Sequence, residues 1–398
     1  MKKRKALIIG GGIAGPALAL FLKRADIDAV VYEAKPSPSR YAGLFLNVAP
    51  NGLDVLRTLG IDQPLTEKGF PFARMVMISG RGKRLGEVYN GSRGRHGIII
   101  KRWLLQEAIL EEAVRQGIRV EYGKKLEDIE FPAGGGVLAR FADGTEAEGD
   151  FLAGCDGIHS RTRRIVFPEA PAPAYTGLLS CGGFAYNPSL SPTPGVQRMI
   201  FGKKAFFGYL VKPSGEIYWF SNLPHPEATT RGALGGLSND ARREMLLEWH
   251  AEDPEPVREI IRSTEGDIGM YPIYDVPFQP AWHRGPVVLI GDAAHATSPH
   301  AGQGASLALE DAIVLARCLR DLPDPAEALA AFERLRRPRA EKVVRYSRSI
   351  GNNKAVSNRI LLWLRDATMP FFLKLFASPN AHDWLYSYRV DWEERVRA

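Results

Sequence analysis

A glycine motif near the start of the chain, Gly10-x-Gly12-x-x-Gly15, most constrains the fold. The apolar run Ala6–Ile9 precedes it, and a helix is predicted over Ala14–Arg24. Gly10 permits a tight turn, Gly12 lets the backbone approach a pyrophosphate, and Gly15 lets helix and strand pack closely. The motif therefore predicts a βαβ unit that binds a dinucleotide at a helix N-terminus.

A carboxylate ends the second strand of this unit, which is predicted over Ala29–Glu33. An acidic side chain at this position can accept hydrogen bonds from ribose hydroxyls, and its charge favours an adenosine without a 2′-phosphate. A chance glycine turn is the alternative. The flanking strand, helix and acid argue against that alternative.

A second motif follows an apolar run at Val287–Ile290 and begins with Gly291-Asp292. Asp292 would lie just past a buried strand, where ligands meet open α/β sheets, and a carboxylate there suits a polyol such as ribityl. Pro299 fixes the next loop, and Gly302-Gln303-Gly304 leaves room for a flat ring. The helix predicted from Ala305 would point its positive end at that ring. Together with the first motif, this pattern indicates a flavin.

Other polar residues near these motifs permit two interpretations. Asp156 belongs to Gly154-Cys155-Asp156-Gly157, which by itself favours a plain turn after a strand. Glu310 and Asp311 could instead be simple partners of the helix dipole in its first turns. His295 and His300 could be acid/base groups, although ordinary packing is the alternative. With a spacing of five and no third ligand nearby, they predict no metal site.

The composition is that of an ordinary globular enzyme, and its 398 residues allow two domains or one composite domain. The net charge of +7 is scattered, so nucleic-acid binding is not expected. Three widely spaced cysteines indicate a reducing compartment, and we expect a cytoplasmic location. The sequence contains no run of about 20 apolar residues, so a membrane-spanning helix is not predicted. Beyond Pro338 the chain is predicted to be helical, with breaks at Gly351 and Pro370.

In the order and spacing of these motifs, the chain resembles the class A flavin-dependent monooxygenases, the para-hydroxybenzoate and salicylate hydroxylase-like group. The segment Gly43–Gly60 is similar to the family's stretch along the flavin. The resemblance implies an α/β fold: a GxGxxG Rossmann-like FAD-binding domain with an inserted antiparallel β-sheet substrate domain and C-terminal helices. It assigns residues 1–72, 97–172 and 273–340 to the FAD-binding domain, 73–96 and 173–272 to the substrate domain, and 341–398 to the C-terminal helices.

The resemblance also implies bound FAD, with Glu33 at the adenosine ribose and Arg102 and Asp292 at the pyrophosphate and ribityl groups. The region of Asp156 would serve both FAD and the nicotinamide donor. NADH or NADPH would reduce the flavin, O2 would add at C4a, and the resulting hydroperoxide would hydroxylate an electron-rich, usually aromatic, small molecule. The full set of implied cofactor-binding residues is Gly10, Gly12, Ile13, Ala14, Gly15, Glu33, Arg40, Arg102, Asp156, Gly291, Asp292, Pro299, Gly302, Gln303 and Gly304.

The substrate site is less well specified. Many relatives carry Trp-Arg-Gly after a Tyr-Thr-Gly, whereas this chain has Ser180-Cys181-Gly182-Gly183, so the contacts of that basic residue are not carried over. No catalytic side chain is assigned, because the flavin performs the chemistry. Candidate substrate contacts in predicted strands are Phe207, Tyr209, Tyr218 and Phe220, since alternate residues share a face. Ordinary sheet core is the alternative for each of them.

Several functions remain open within this interpretation. The same fold could act as an epoxidase, an antibiotic-modifying monooxygenase or a flavin-dependent reductase, and a nucleotide-fold binding or escort protein is the non-enzyme alternative. A halogenase is less favoured because Trp-x-Trp-x-Ile-Pro is absent. The amphipathic stretch Ala355–Phe376 could cover the substrate domain or lie on a membrane surface. A monomer or a homodimer is expected.

Overall fold

The computed structural model describes residues 3–38, 43–225, 236–352, 364, 367–371 and 381–397. Its strands are β1 (Lys5–Ile9), β2 (Asp28–Glu33), β3 (Phe45–Val48), β4 (Phe70–Phe72), β5 (Arg74–Ser79), β6 (Arg84–Tyr89), β7 (Gly91–Ser92), β8 (Arg95–Lys101), β9 (Arg119–Tyr122), β10 (Leu126–Glu130), β11 (Val137–Phe141), β12 (Glu146–Gly149), β13 (Phe151–Gly154), β14 (Ala174–Tyr186), β15 (Val196–Phe201), β16 (Phe206–Val211), β17 (Glu216–Pro224), β18 (Thr264–Asp275), β19 (His283–Arg284) and β20 (Val287–Leu289).

The helices are α1 (Ala14–Arg24), α2 (Pro50–Leu59), α3 (Asp62–Lys68), α4 (Arg102–Arg115), α5 (Arg161–Val166), α6 (Asn239–Trp249), α7 (Val257–Arg262), α8 (Asp292–His295), α9 (Gly304–Asp321), α10 (Pro325–Asn352) and α11 (Asp383–Tyr386), with a 3-10 turn at Pro299–Ala301. Among the helices of these described residues, none has the length and apolarity that crossing a bilayer requires.

A largely parallel sheet brings the sequence motifs together. Its strand order is β19-β20-β13-β1-β2-β9, and only β19 runs antiparallel to its neighbour. The register pairs Ile9 with Gly154 and Gly154 with Leu289, so three strands end side by side. Each of these strands leads into a glycine turn. The three turns therefore meet at one edge of the sheet, which is where ligands bind in such folds.

A second, seven-stranded sheet has the order β18-β14-β17-β16-β15-β5-β6, and β15 and β5 are its parallel pair. Helices α6 and α7 cover one face, where Leu246 and Ile260 belong to the same buried cluster as Phe207 and Trp219. The opposite face carries Phe184, Tyr218 and Phe220 and meets Phe45 of β3. We name this opposite face the β3 face.

The C-terminal helices differ from the prediction. Helix α10 begins at Pro325, well before the stretch beyond Pro338, and it includes both Pro338 and Gly351. Residues 367–371, which include Pro370, are also helical. Residues 353–363 and 372–380 lie outside the described residues, so the breaks at Gly351 and Pro370 stay predictions. Pro325 is tolerated as the first residue of α10, because its missing N–H would have no helical partner there, and the fully buried Ala328 and Phe332 pack the early part of the helix.

Candidate flavin site

The three glycines of the first motif meet different steric demands. Gly10 has a φ of +112°, and a Cβ there would lie 2.5 Å from the Cys155 carbonyl oxygen. A Cβ on Gly15 would lie 2.1 Å from the Gly10 carbonyl oxygen. A Cβ on Gly12, in contrast, would have no atom within 4 Å. Gly10 and Gly15 are thus required by protein packing, whereas Gly12 borders a space that a ligand can enter.

Helix α1 presents an unblocked N-terminus beside Gly12. Ile13 is at the N-cap and Ala14 begins the helix, with no side-chain cap and no acidic residue in the first turn. Glu33 lies next to this loop, since its carboxylate accepts hydrogen bonds from the backbone N–H groups of Gly11 at 2.7 Å and Lys35 at 3.0 Å. The site therefore offers positive backbone groups to a pyrophosphate and a carboxylate to a ribose.

Helix α4 contributes Arg102, which was predicted to bind the cofactor, and Gln106, which the sequence analysis did not single out. Arg102 is exposed at the start of the helix, and a Cβ on Gly43 would lie 3.2 Å from the Arg102 Cδ. Gln106, one helical turn later, donates a hydrogen bond from Nε2 to the Gly11 carbonyl oxygen at 2.9 Å. Its i, i+4 spacing from Arg102 was the available signal. Arg40, the other predicted arginine, lies outside the described residues.

The carboxylate of Asp156 is committed to the local turn. It accepts hydrogen bonds from the Ser160 hydroxyl at 2.5 Å, the Thr162 backbone N–H at 2.9 Å and the Thr162 hydroxyl at 3.0 Å. The buried Arg163 then donates to the Ala293 carbonyl oxygen at 2.7 Å. These bonds tie the turn to the Gly291-Asp292 motif, and in this structure Asp156 shapes the site.

Gly291 anchors the turn through its backbone, and Asp292 presents its carboxylate to the site. Gly291 has a φ of +58°, and its backbone N–H donates to the Asp311 carboxylate at 2.9 Å. Asp292 begins α8 with an exposed side chain that makes no hydrogen bond or ion pair with the other described residues. The backbone is held from beneath, and the Asp292 carboxylate remains available to a ligand.

The Pro299–Gly304 segment forms a bend that opens onto a helix N-terminus. Gly302 has a φ of +60°, and its carbonyl oxygen accepts a hydrogen bond from Asn47 of β3 at 3.2 Å. The nearest atom to a Cβ on Gly304 would be 3.9 Å away, so this position is open like Gly12. Helix α9 has no side-chain cap and no acid in its first turn. The open glycines and uncapped helix ends thus form a cradle that fits FAD.

A buried ion cluster lies beneath the cradle. Asp311 is fully buried and binds His295 Nε2 at 2.6 Å and Arg336 Nε at 2.8 Å. Burial opposes ionisation of Asp311, but His295 and Arg336 together lower its pKa to about 2. The interpretation of Asp311 as a simple helix-dipole partner is wrong, because its carboxylate bonds these two side chains and accepts a hydrogen bond from the Gly291 N–H.

Glu310 extends the cluster toward the bend. Its carboxylate receives two hydrogen bonds from Arg339, both 2.8 Å, and one from Asn51 at 2.7 Å. Asn51 also donates to the Gln303 Oε1 at 3.0 Å, and the Gln303 side chain is fully buried. Glu310 therefore connects α10 to the bend, and its interpretation as a dipole partner is also wrong.

The two histidines of this region have identifiable contacts. His295 is largely buried in the ion cluster, so the structure gives it a supporting position. His300 Nδ1 lies 3.1 Å from the Ser298 hydroxyl. No group of three or more metal-ligating side chains occurs among the described residues.

The four aromatic candidates lie on opposite faces of the second sheet. The register places Tyr209 opposite Trp219, and Phe207 stacks on Trp219 on the helix-covered face with ring centroids 5.4 Å apart. Phe207 and Tyr209 are therefore core residues beneath α6 and α7, and we withdraw them as substrate contacts. Tyr218 and Phe220 lie on the β3 face.

The β3 face adds aromatic residues that the sequence did not single out. The Phe45 ring centroid is 5.4 Å from that of Tyr218, 6.1 Å from that of Phe220 and 6.4 Å from that of Phe184. Lys212 Nζ donates to the Tyr218 hydroxyl at 2.8 Å. Burial, followed by the nearby Glu216, raises the pKa of Tyr218. Tyr218 therefore stays a neutral phenol.

Comparison with known proteins agrees with this geometry. A family model described as "FAD binding domain" matches residues 3–178 and 276–347. Aurachin C monooxygenase/isomerase of Stigmatella aurantiaca is 33% identical over 377 residues, which cover 91% of this chain and 93% of that relative. The 6-hydroxynicotinate 3-monooxygenase of Pseudomonas fluorescens is 29% identical over 85% of this chain and 89% of its own length.

Solved structures show the same architecture. Klebsiella pneumoniae HpxO, complexed with FAD and uric acid, aligns with a TM-score of 0.84 at 27% sequence identity. The alignment covers 96% of this chain and 97% of that one.

Proposed function

We propose, from the premise that this chain belongs to the FAD-binding domain family of flavin-dependent aromatic monooxygenases, that it hydroxylates a small electron-rich ring with NADH or NADPH and O2. One observation carries the proposal: Asp292 is exposed, and a Cβ on the adjoining Gly291 would lie 3.5 Å from the Ala14 side chain of α1 and 3.2 Å from the Ala308 side chain of α9. Bound FAD would take two electrons from NAD(P)H and use them to activate O2, so that one oxygen atom enters the substrate and the other leaves as water.

The chain's own residues bind and orient that cofactor. We assign Glu33 to the adenosine ribose, Arg102 to the pyrophosphate and Asp292 to the ribityl chain. The N-terminus of α1 would face the pyrophosphate, and that of α9 would face the ring. A reduced flavin carries negative charge, which the positive end of α9 would stabilise.

The relatives' names and the β3 face support a substrate class. One of those names specifies 6-hydroxynicotinate, and one solved relative holds uric acid. Both are flat rings that bear heteroatoms. Phe45, Phe184 and Phe220 are half-buried, and they offer flat apolar surface at β3. Asn47 of the same strand donates a hydrogen bond to the Gly302 carbonyl oxygen. This surface suits an aromatic substrate.

A rearranging oxygenation is the second candidate, because the relative at 33% identity is named a monooxygenase/isomerase. Both reactions add one oxygen to the product mass. NMR of the product carbon skeleton separates them, since hydroxylation leaves the skeleton unchanged.

The location and assembly remain predictions. A reducing compartment such as the cytoplasm fits Cys155, Cys181 and Cys318, which are buried free thiols. A monomer or homodimer is still expected. Most of the amphipathic stretch Ala355–Phe376 lies outside the described residues.

The test is a panel of phenols and heteroaromatic rings offered to FAD-loaded protein. Stimulated NADH and NADPH oxidation is measured beside the mass of each product. We expect at least one compound to accelerate oxidation and gain one oxygen. A protein that takes up no FAD overturns the proposal. A flavoprotein whose product gains two hydrogens is instead a reductase.

A further inference from the structure

The β3 face reaches the flavin cradle at one end. Strand β18 ends at Asp275, and the Val276 backbone N–H donates to the Ala296 carbonyl oxygen at 3.1 Å, shortly before Pro299. Phe45 and Asn47 are two residues apart on β3, so they share a face, and Asn47 holds the Gly302 carbonyl oxygen. The part of the β3 face between these connections borders the place where a substrate would meet the ring.

The strand register lines up polar side chains in this part. Ser180 pairs with Asn222 on one side and with Tyr271 on the other. The next row of the same face contains Gly182 opposite Phe220, and the Cβ of a residue at Gly182 would lie 2.8 Å from the Leu44 side chain. A polar row thus adjoins an apolar, aromatic one.

Asn222 stands out within the polar row. It is 5% exposed, and its Oδ1 accepts no hydrogen bond from any described residue. A buried carbonyl oxygen without a donor is costly, and native proteins rarely leave one unpaired. Its position on the β3 face makes a bound substrate the natural source of the missing donor.

Within the described part of the chain, the cations at the two ends of this face are already committed. Lys101 and Lys212 lie 2.7 Å and 2.9 Å from the Glu216 carboxylate, at the far end of β17. At the near end, Arg348 Nε lies 2.6 Å from the Asp275 carboxylate. The polar row of Ser180, Asn222 and Tyr271 itself contains no charged residue. A carboxylate buried against this row would find no uncommitted counter-ion among the described residues named above, and that is unfavourable.

We propose that Asn222 is a specificity-determining residue that accepts a hydrogen bond from an uncharged N–H or O–H of the substrate. The preferred substrates are then aromatic rings whose polar substituents are all uncharged, such as carboxamides and phenols without a carboxylate, and aromatic carboxylates are disfavoured. The inference rests on the proposed function, because it requires a substrate on the β3 face.

The test uses ring pairs of nearly equal shape that differ in charge. The probes are 4-hydroxybenzamide against 4-hydroxybenzoate, and 6-hydroxynicotinamide against 6-hydroxynicotinate. Each is titrated into FAD-loaded protein while the flavin absorbance is recorded. We expect each amide to bind about tenfold more tightly than its acid. Acids that bind as tightly as amides overturn the inference and leave the proposed function standing. If neither member of either pair binds, the inference fails for these substrate classes.

Two variants identify the residue responsible. Asn222→Leu should weaken amide binding about fivefold and leave acid binding unchanged, because it removes one hydrogen bond. Ser221→Ala is the matched control, since Ser221 faces the other way and bonds His250 Nε2 at 2.8 Å. It should preserve the amide-to-acid ratio.

A measurement without any substrate gives an independent check. Asn222→Leu replaces an unpaired buried oxygen by an apolar group of similar size, so the melting temperature of the FAD-loaded protein should stay the same or rise. A fall of several degrees, or an unchanged amide-to-acid ratio in Asn222→Leu, overturns the proposal.

Discussion

Gly10 and Gly12 belong to one motif, but glycine is required at the two positions for different structural reasons. A side chain at Gly10 collides with the Cys155 backbone, whereas a side chain at Gly12 meets only the space assigned to the cofactor. Loss of Gly10 should therefore impair folding, and loss of Gly12 should impair binding.

Gly12→Val tests this distinction at the residue scale. We expect FAD affinity to fall at least about tenfold while the melting temperature of the cofactor-free protein changes little. Fluorescence titration with FAD and thermal unfolding measure the two effects. Gly134→Val is the matched control, because Gly134 also has no atom within 4 Å of a Cβ and lies in an exposed turn. A Gly12 variant that binds FAD normally contradicts the assignment.

Asp292→Ala should weaken FAD binding about tenfold to a hundredfold, since hydrogen bonds to a charged group are lost. The same titration measures the change. Asp240→Ala is a suitable control, because Asp240 is also an exposed acid in the first turn of a helix. Equal FAD affinity in both variants would remove Asp292 from the site.

Residues with a backbone or ligand requirement were predictable from the sequence, and residues in strands were not. Gly10, Gly12 and Asp292 carry a local signal, because a turn or a strand end dictates them. Alternation along β16 and β17 reveals two faces but not which face a helix covers. Phe207 was consequently assigned to the pocket, although it lies beneath α6 and α7.

At the scale of elements, α9 and α10 are joined by buried charges under the cradle. Arg336 is fully buried and contacts both Glu310 and Asp311. The sequence did not reveal this link, because the two acids are adjacent while their partner lies on another helix. The structure reveals the link through burial, because charged side chains are almost never fully buried unless they are paired.

Arg336→Met should lower the free energy of unfolding by about 3–5 kcal/mol, because it leaves buried carboxylates short of a partner. Urea unfolding of the cofactor-free protein measures it. Arg334→Met is the control, since Arg334 is exposed on the same helix. If the two variants are equally stable, the cluster does not support the fold.

Acidification should reveal the same cluster. The Asp311 pKa of about 2 lies below the ordinary 3.8, so its stabilising contribution is complete above pH 4 and is lost as the pH falls toward 2. Stability curves of the wild type and Asp311→Asn should therefore converge between these pH values. Curves that stay parallel contradict the assigned ionisation.

A Ser–His–Asp chain on the helix-covered face has a structural explanation. Ser221 lies 2.8 Å from His250 Nε2, and His250 Nδ1 lies 2.7 Å from Asp253. Ser221 and His250 are fully buried, so no substrate can reach the hydroxyl. These hydrogen bonds fasten the end of α6 to β17.

Elements with strong periodicity were predicted well. The bounds of α1, Ala14–Arg24, match the sequence prediction. The antiparallel strands β10, β11 and β12 were not predicted. Strand β10 explains why, because its Leu-Glu-Asp-Ile-Glu sequence buries only the first and fourth residues and shows no alternation of period two.

For the whole molecule, cofactor and fold should be thermodynamically linked. The cradle joins strand ends from the N-terminal motif and from residues beyond β20, so FAD binds the folded chain and not the unfolded one. At an FAD concentration of about 100 Kd, we expect about 2.7 kcal/mol of added stability. Thermal unfolding with increasing FAD measures it. A melting temperature that is independent of FAD contradicts the assembled cradle.

The order of the motifs sufficed to identify the family, because FAD recognition depends on backbone turns that recur at fixed places. The substrate site was not accessible in the same way. Its candidate surface combines Phe45 of β3 with Ser180, Asn222 and Tyr271 from three other strands. Only the register of the folded sheet places these residues in adjacent rows.

The most direct test of the central claim is the mass of the product formed under ¹⁸O₂ by the FAD-loaded protein. The substrate is the panel compound that most accelerates NAD(P)H oxidation. A monooxygenase of this kind should place one labelled oxygen atom in each product molecule. NAD(P)H consumption that yields only an unlabelled product would contradict it.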